Sequence, residues 1–483
     1  MIFNTLPFFF FLIVVLIVYW SLPSDRWRHP FLFAANFFFY GWWNWKCTGL
    51  LFTVIVISYF AGRLLERTAE LHRKRLMVGA CSLLILILGY FKYTNFFLES
   101  LHTAFTKMGG TSGWTTLNII LPAGISFYIF QALSYVVTVY RQTLVAEKSF
   151  IRLGVYLSFF PHLVAGPIIH APTFLPQLQK KRSFDPSFFI EGCRKFALGF
   201  LYKAVFADHL AAFVNPIFEK VENQAALKLF GGCLGFYGQI YFDFAGYSLM
   251  AIGVAQLLGY TLPENFHFPY RATSLIDFWR RWHISLSTWL RDYVYIPLGG
   301  NRCSLPRNYA NIIITMFLGG MWHGASWNFL LWGGIHGVAL CLNHLWQRSR
   351  ESAGNDMSKE FFSFSNISAW LLTQGIIFLC WIPFRAATWS DTLYIMHQFF
   401  LGITRFSYAL FALKIPTPAP CLLPWALLIL PLFFDTALLG SDRLRSRYAL
   451  ASNTAFYVAI SIALLLGLLF MSTGMVPFIY FQF

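Results

Sequence analysis

Between Asn308 and Gln347 the chain runs for 40 residues without an Asp, Glu, Lys or Arg. No other feature restricts its folding as strongly. A run of that length and polarity crosses a bilayer as a helix, because a helix satisfies every backbone N–H and C=O within its own segment. Further charge-free runs occupy 109–140, 153–179, 361–384 and 448–483. Only 12% of the 483 residues are charged, and soluble domains carry about twice that fraction. The chain therefore reads as an all-α polytopic membrane protein.

Spanning segments are expected near 6–22, 30–45, 47–62, 76–91, 117–138, 195–217, 229–257, 308–328, 330–346, 361–383, 416–438 and 453–472, about 11–12 helices. The first, "LPFFFFLIVVLIVYWSLP", lacks a basic leading region and a small-residue cleavage site, so it reads as a retained helix and not a signal peptide. The formal net charge of +16 is not a nucleic-acid signature here. Its Lys and Arg gather in short loops, 62–75, 179–195 and 441–447, which the positive-inside rule places in the cytoplasm. An even helix count then puts both termini outside. The surface between the loops faces membrane lipid. The eight cysteines are dispersed, without a Cys-x-x-Cys pair, which argues against a metal site or a disulfide scaffold.

Two segments do not fit simple spans. The 153–179 run contains "PHLVAGPIIHAP", whose prolines break a helix. With basic loops on both sides it reads as a re-entrant hairpin, tolerated at membrane depth only where protein or a cavity covers it. Residues 259–307 mix six Arg with closely spaced Trp and Tyr. They are too charged to span and too aromatic for an ordinary loop, and read as helices lying at the cytoplasmic face.

Twelve histidines are candidates for chemistry. His29, His72, His102 and His209 lie near charges or helix ends. His336 and His344 read as hydrogen-bonded packing residues and His397 as interfacial. His323 differs. In "GGMWHGASW" it sits among Gly319, Gly320, Gly324, Ala325 and Ser326, between Trp322 and Trp327. Small residues admit close approach, and tryptophans can wall a tunnel. An unpartnered polar group there costs roughly 2–7 kcal/mol, so an imidazole at membrane depth requires a reason. His283, in "RWHISLS", is the second candidate. Its neighbours Arg280, Arg281 and Arg291 would favour a neutral ring able to act as a general base. It serves either that role or as a loop anchor. Arg280 and Arg281 either hold donor phosphates or anchor the topology. Asp243, in "YFDFAGYS", reads as a paired structural carboxylate beside the tunnel. Gly-x-Ser-x-Gly, His-Glu-x-x-His and phosphate-loop patterns are absent.

"FWRRWHISLSTWLRDYVYIPLGGNR" followed by "MWHGASW" resembles the membrane-bound O-acyltransferase superfamily, most closely its bacterial branch of alginate and peptidoglycan O-acetylation proteins. "LPAGISFYIFQALSYVVTVYR", "SFFPHLVAGPI" and "YFDFAGYSLMAIG" are similar to the same branch. The resemblance implies a ring of helices around a tunnel, with the catalytic core at about 120–350 of a single domain, 1–475. It implies that His323 is catalytic, and that His283 occupies a second position held by His in this branch and Asn in many others. Arg280, Arg281, Trp282 and Arg291 would then bind acetyl-CoA from the cytoplasm, with Trp322, Ser326, Trp327 and Asp243 along the tunnel. No bound cofactor and no metal are implied. The setting would be a bacterial inner membrane.

A transporter or flippase for a lipid-linked saccharide is the other reading. It calls for repeats and intramembrane acids. No repeat is apparent, and Asp243 alone stands out. The tail 476–483, "VPFIYFQF" from Val476, has the spacing Phe-x-Tyr-Phe-x-Phe, similar to a C-terminal motif of the branch. The resemblance makes Tyr480 an acyl carrier and the tail a docking point for an extracytoplasmic polysaccharide O-acetyltransferase. An interfacial aromatic anchor is the plainer alternative.

Overall fold

A computed structural model describes residues 1–110, 116–352 and 364–411. The expected spans at 416–438 and 453–472, and the tail with Tyr480, lie outside the described residues. All regular structure among the described residues is helical. The helices are α1 Leu6–Ser21, α2 Asp25–Gly41, α3 Lys46–Arg67, α4 Glu70–Lys107, α5 Ile125–Tyr140, α6 Phe150–Ser158, α7 Phe160–Leu163, α8 Ala171–Gln179, α9 Pro186–Leu201, α10 Asp208–Glu219, α11 Ala226–Leu257, α12 Leu275–Arg281, α13 Ile284–Leu290, α14 Leu305–His323, α15 Trp327–Ser352, α16 Phe364–Arg385 and α17 Trp389–Phe411. Among the described residues, six continuous stretches are long and apolar enough to cross a membrane: α3, α4, Pro186–Glu219, α11, Trp327–Arg350 and Ser365–Arg385. The apolar α1 and α5 are shorter. Helix α17 was not expected. Its start is a reciprocal cap: Thr388 N–H donates to Asp391 Oδ2 at 3.0 Å and Asp391 N–H to Thr388 Oγ1 at 3.1 Å.

The chain forms two compact units. Of the described residues, those within 1–196 and 247–264 make the first and those within 197–246 and 265–411 the second. In the first, α5 is buried along almost its whole length. Gly62 of α3 lies against the Tyr135 ring, where no larger residue fits. The proline-rich stretch is broken as expected: α6 ends at Ser158, α7 is four residues long, and α8 resumes at Ala171. His162 in α7 is fully buried and accepts from Gln131 Nε2 at 2.9 Å.

In the second unit α14 and α15 form a tight antiparallel pair. A methyl on Gly320 would strike the Phe329 carbonyl, one on Gly333 the Met316 carbonyl, and one on Gly337 would lie 3.0 Å from the Ile313 Cα. These three glycines set the backbone separation, as small residues do between membrane helices. Helix α16 is fastened by Gln374 Nε2 donating to Ala272 O (2.9 Å) and Trp370 Nε1 donating to Tyr270 O (2.7 Å). Tyr270 stacks on Tyr237 with ring centroids 4.0 Å apart. Residues 259–307 contain α12, α13 and a π-helical turn, Arg291–Tyr295.

Candidate active site

His323 is the last residue of α14. Gly324 leaves the helix in an extended conformation, φ −164°, and α15 begins at Trp327. The break places the imidazole at the turn of the tight pair, 5% exposed. Four aromatic rings enclose it: Trp322 at 5.0 Å, Trp332 at 5.0 Å, Phe384 at 5.1 Å and Phe329 at 6.4 Å between centroids. Such a wall excludes water and strengthens electrostatic interactions inside it.

His283 lies 6.5 Å from His323, centroid to centroid, and is fully buried. Trp322 packs edge-on against both imidazoles, and the Phe244 ring stands edge-on to His283 at 4.6 Å. His283 precedes α13 with φ +43° and ψ +53°, a left-handed conformation that side chains other than glycine rarely adopt. Asn265 holds it there. Asn265 Oδ1 accepts from His283 Nδ1 at 3.1 Å, Ser285 Oγ at 2.9 Å and Ser285 N at 3.2 Å, while its carbonyl accepts from Ile284 N at 2.9 Å. A proton on Nδ1 leaves Nε2 with the lone pair of the neutral ring. The ring is neutral for a reason other than its cationic neighbours: burial pushes its pKa down to about 3.

The other expected site residues separate. Arg281 is held by Asp277, Nε to each carboxylate oxygen at 2.9 Å, and its Nη1 donates to His267 O. Arg291 pairs with Asp292 at 2.8 Å. Arg280 is exposed and has no carboxylate partner among the described residues. Trp282 is 1% exposed, stacked on Phe278 at 5.6 Å and 5.0 Å from Trp381, as a core residue is. Ser326 lies in the turn before α15, its carbonyl accepting from Leu330 N. Trp327 is 60% exposed, and Trp332 takes the wall position expected for it.

Asp243 pairs with Lys203 at 2.6 Å, and Lys203 reaches Asp208 at 2.7 Å; all three are at most 3% exposed. Lys203 lies in a π-helical turn, Tyr202–Ala207, between α9 and α10. Gly246, one turn on from Asp243, meets the Gly199 carbonyl, and that close approach brings the ions together.

Sequence reasoning missed Asn265, Trp332, Phe384 and Lys203. The face Phe329, Trp332, His336 on α15 has helical spacing that could have identified Trp332. Nothing local marks Asn265 or Phe384.

The sequence profile of the membrane-bound O-acyltransferase family matches residues 37–382, a span that contains both histidines. The chain is 37% identical over 388 residues to the probable alginate O-acetylase of Pseudomonas aeruginosa, covering 80% of this chain and 72% of that protein. It is 34% identical over 429 residues to the peptidoglycan O-acetyltransferase of Helicobacter pylori, covering 82% and 79%. It is 30% identical over 300 residues to the teichoic acid D-alanyltransferase of Streptococcus thermophilus, covering 59% and 71%.

Proposed function

The chain belongs to the membrane-bound O-acyltransferase family and is a multi-pass membrane acyltransferase, and from that premise we propose that it passes acetyl from cytoplasmic acetyl-CoA across a bacterial inner membrane for O-acetylation of an exported polysaccharide. Relatives named for alginate and peptidoglycan acetylation support the acyl group and the polymer class. The observation that carries the reading is the pair of buried imidazoles 6.5 Å apart in an aromatic shell.

The chemistry follows from that pair. An acceptor hydroxyl oxygen attacks the thioester carbonyl carbon while His323 takes the hydroxyl proton. The C–S bond breaks, the sulfur leaves as a thiolate, and the imidazolium returns the proton to it. The products are an acetyl ester and free coenzyme A thiol. His283, its tautomer set by Asn265, orients the reacting groups from the second side. Water is kept out by the rings, which suppresses hydrolysis of the thioester. Exposed Arg280 suits the donor phosphates. Tyr480 would be the hydroxyl that carries acetyl outward, handing it to a separate extracytoplasmic transferase that docks on the tail.

His323→Ala lowers coenzyme A release from acetyl-CoA by about 10²–10⁴-fold, the range for general acid–base groups, with unchanged melting temperature. An active variant overturns the catalytic assignment. Tyr480→Phe keeps the ring and removes the nucleophile. Undiminished polymer acetylation in cells carrying it makes the tail an anchor.

A further inference from the structure

His336 is expected from the sequence to be a hydrogen-bonded packing residue. It is fully buried on α15, yet neither ring nitrogen has a hydrogen-bond partner among the described residues. Two indoles flank it: Trp332 at 4.8 Å and Trp279 at 5.1 Å between centroids, themselves 5.7 Å apart. Both indole N–H groups are buried and without a hydrogen-bond partner as well. The large majority of buried side-chain polar atoms in native proteins have a hydrogen-bond partner. Three such residues in mutual contact gather their hydrogen-bonding atoms in one place.

Its place is informative. Trp279 adjoins exposed Arg280 in α12, and Trp332 packs on His323 at 5.0 Å. Ring contacts therefore lead from the free cation to the imidazole assigned as base. The hydrogen-bonding inventory is equally specific. Two indoles and one neutral imidazole offer three donors and one acceptor. An anion would need a cation here, and none of the three residues carries one at neutral pH. A sugar brings as many donors as acceptors. The complement is an uncharged group rich in carbonyls: secondary amides and a thioester.

We propose that His336, Trp279 and Trp332 form the subsite that reads the amide-bearing arm of the acyl-thioester donor and aims its carbonyl at His323. The proposal rests on the acetyl-CoA reading above. His336 is a positioning residue. It sets donor affinity and leaves the proton transfers to His323.

The test compares purified full-length wild type, His336→Phe and His336→Gln for binding of coenzyme A and of adenosine 3′,5′-bisphosphate, which keeps the nucleotide with two of the three phosphates and lacks the arm. His336→Phe weakens coenzyme A by at least about fivefold, the scale of one or two lost hydrogen bonds, and leaves the bisphosphate unchanged. His336→Gln, which keeps a donor and an acceptor, recovers most of that loss. Arg280→Ala weakens both ligands. The ligand-free melting temperature of His336→Phe rises, since unsatisfied polar atoms leave an apolar core. A packing role predicts the reverse, a lower melting temperature and equal loss for both ligands, and overturns the subsite. So does unchanged coenzyme A affinity in His336→Phe when wild type binds coenzyme A. Wild type that binds neither ligand overturns the donor reading, and the subsite with it.

Discussion

Two buried polar clusters in the second unit are built on opposite terms. Around Lys203, two carboxylates close on one ammonium at 2.6 and 2.7 Å, and charge is matched by charge. Around His323, aromatic rings surround the imidazole, and Asn265 fixes the ring of its neighbour His283. Satisfied charge fixes a shape and leaves nothing to react. A polar group walled by hydrocarbon stays poised to take or give a proton. Burial alone does not mark a functional residue in this fold; the company it keeps does.

That contrast breaks first at Lys203. Lys203→Met leaves Asp208 and Asp243 facing each other in the interior, at a cost of about 3–5 kcal/mol for a broken buried pair. The expected result is a large loss of folded, detergent-stable protein by size exclusion, whereas the His323 variant elutes normally. Equal yields for the two would remove the distinction. Asn265→Ala sits between them. It frees the His283 tautomer and relaxes its left-handed backbone, so turnover falls by roughly tenfold while the apparent affinity for the donor holds. A variant that loses affinity and keeps turnover would place Asn265 on the donor side.

The smallest effect concerns pH. His283 has a folded pKa depressed to about 3 by burial, against about 6.5 in an unfolded chain. The unfolded state therefore takes up the proton first. The stability contribution is complete above about pH 6.5 and drains as pH falls towards 3. The melting temperature of wild type should drop more between pH 8 and pH 5 than that of His283→Asn, which does not titrate there. Parallel curves would show that His283 is solvated.

Much of this arrangement was legible in the sequence because it is local. Long apolar runs mark most helices, with shifted bounds: α4 extends from Glu70 to Lys107 past the expected 76–91, and α5 begins only at Ile125 within the expected 117–138. His323 and Trp322 are adjacent in one motif, and glycines mark the close helix pair. The errors have physical causes. The break at Gly324 resets the helical phase, so Trp327 falls on the exposed side and Trp332 on the site. Neutrality of His283 was expected from three neighbouring arginines, but Asp277 and Asp292 occupy two of them and burial does the work. Asn265 and Phe384 reach the site from far along the chain, and no spacing rule connects them to it. The cap at Thr388 and Asp391 could have announced α17.

The backbone at 283 limits which residues evolution could try there. A φ of +43° disfavours β-branched and most bulky side chains before chemistry is considered. Glycine, asparagine, aspartate and histidine accept it most readily. Of these, glycine offers no side chain, and aspartate would bring a charge into an apolar pocket. The remaining vocabulary is histidine and asparagine, the two residues the sequence resemblance associates with this position. The alternation is thus written in the torsion angle as much as in the reaction, and a saturation library at 283 should return these two letters among its active clones.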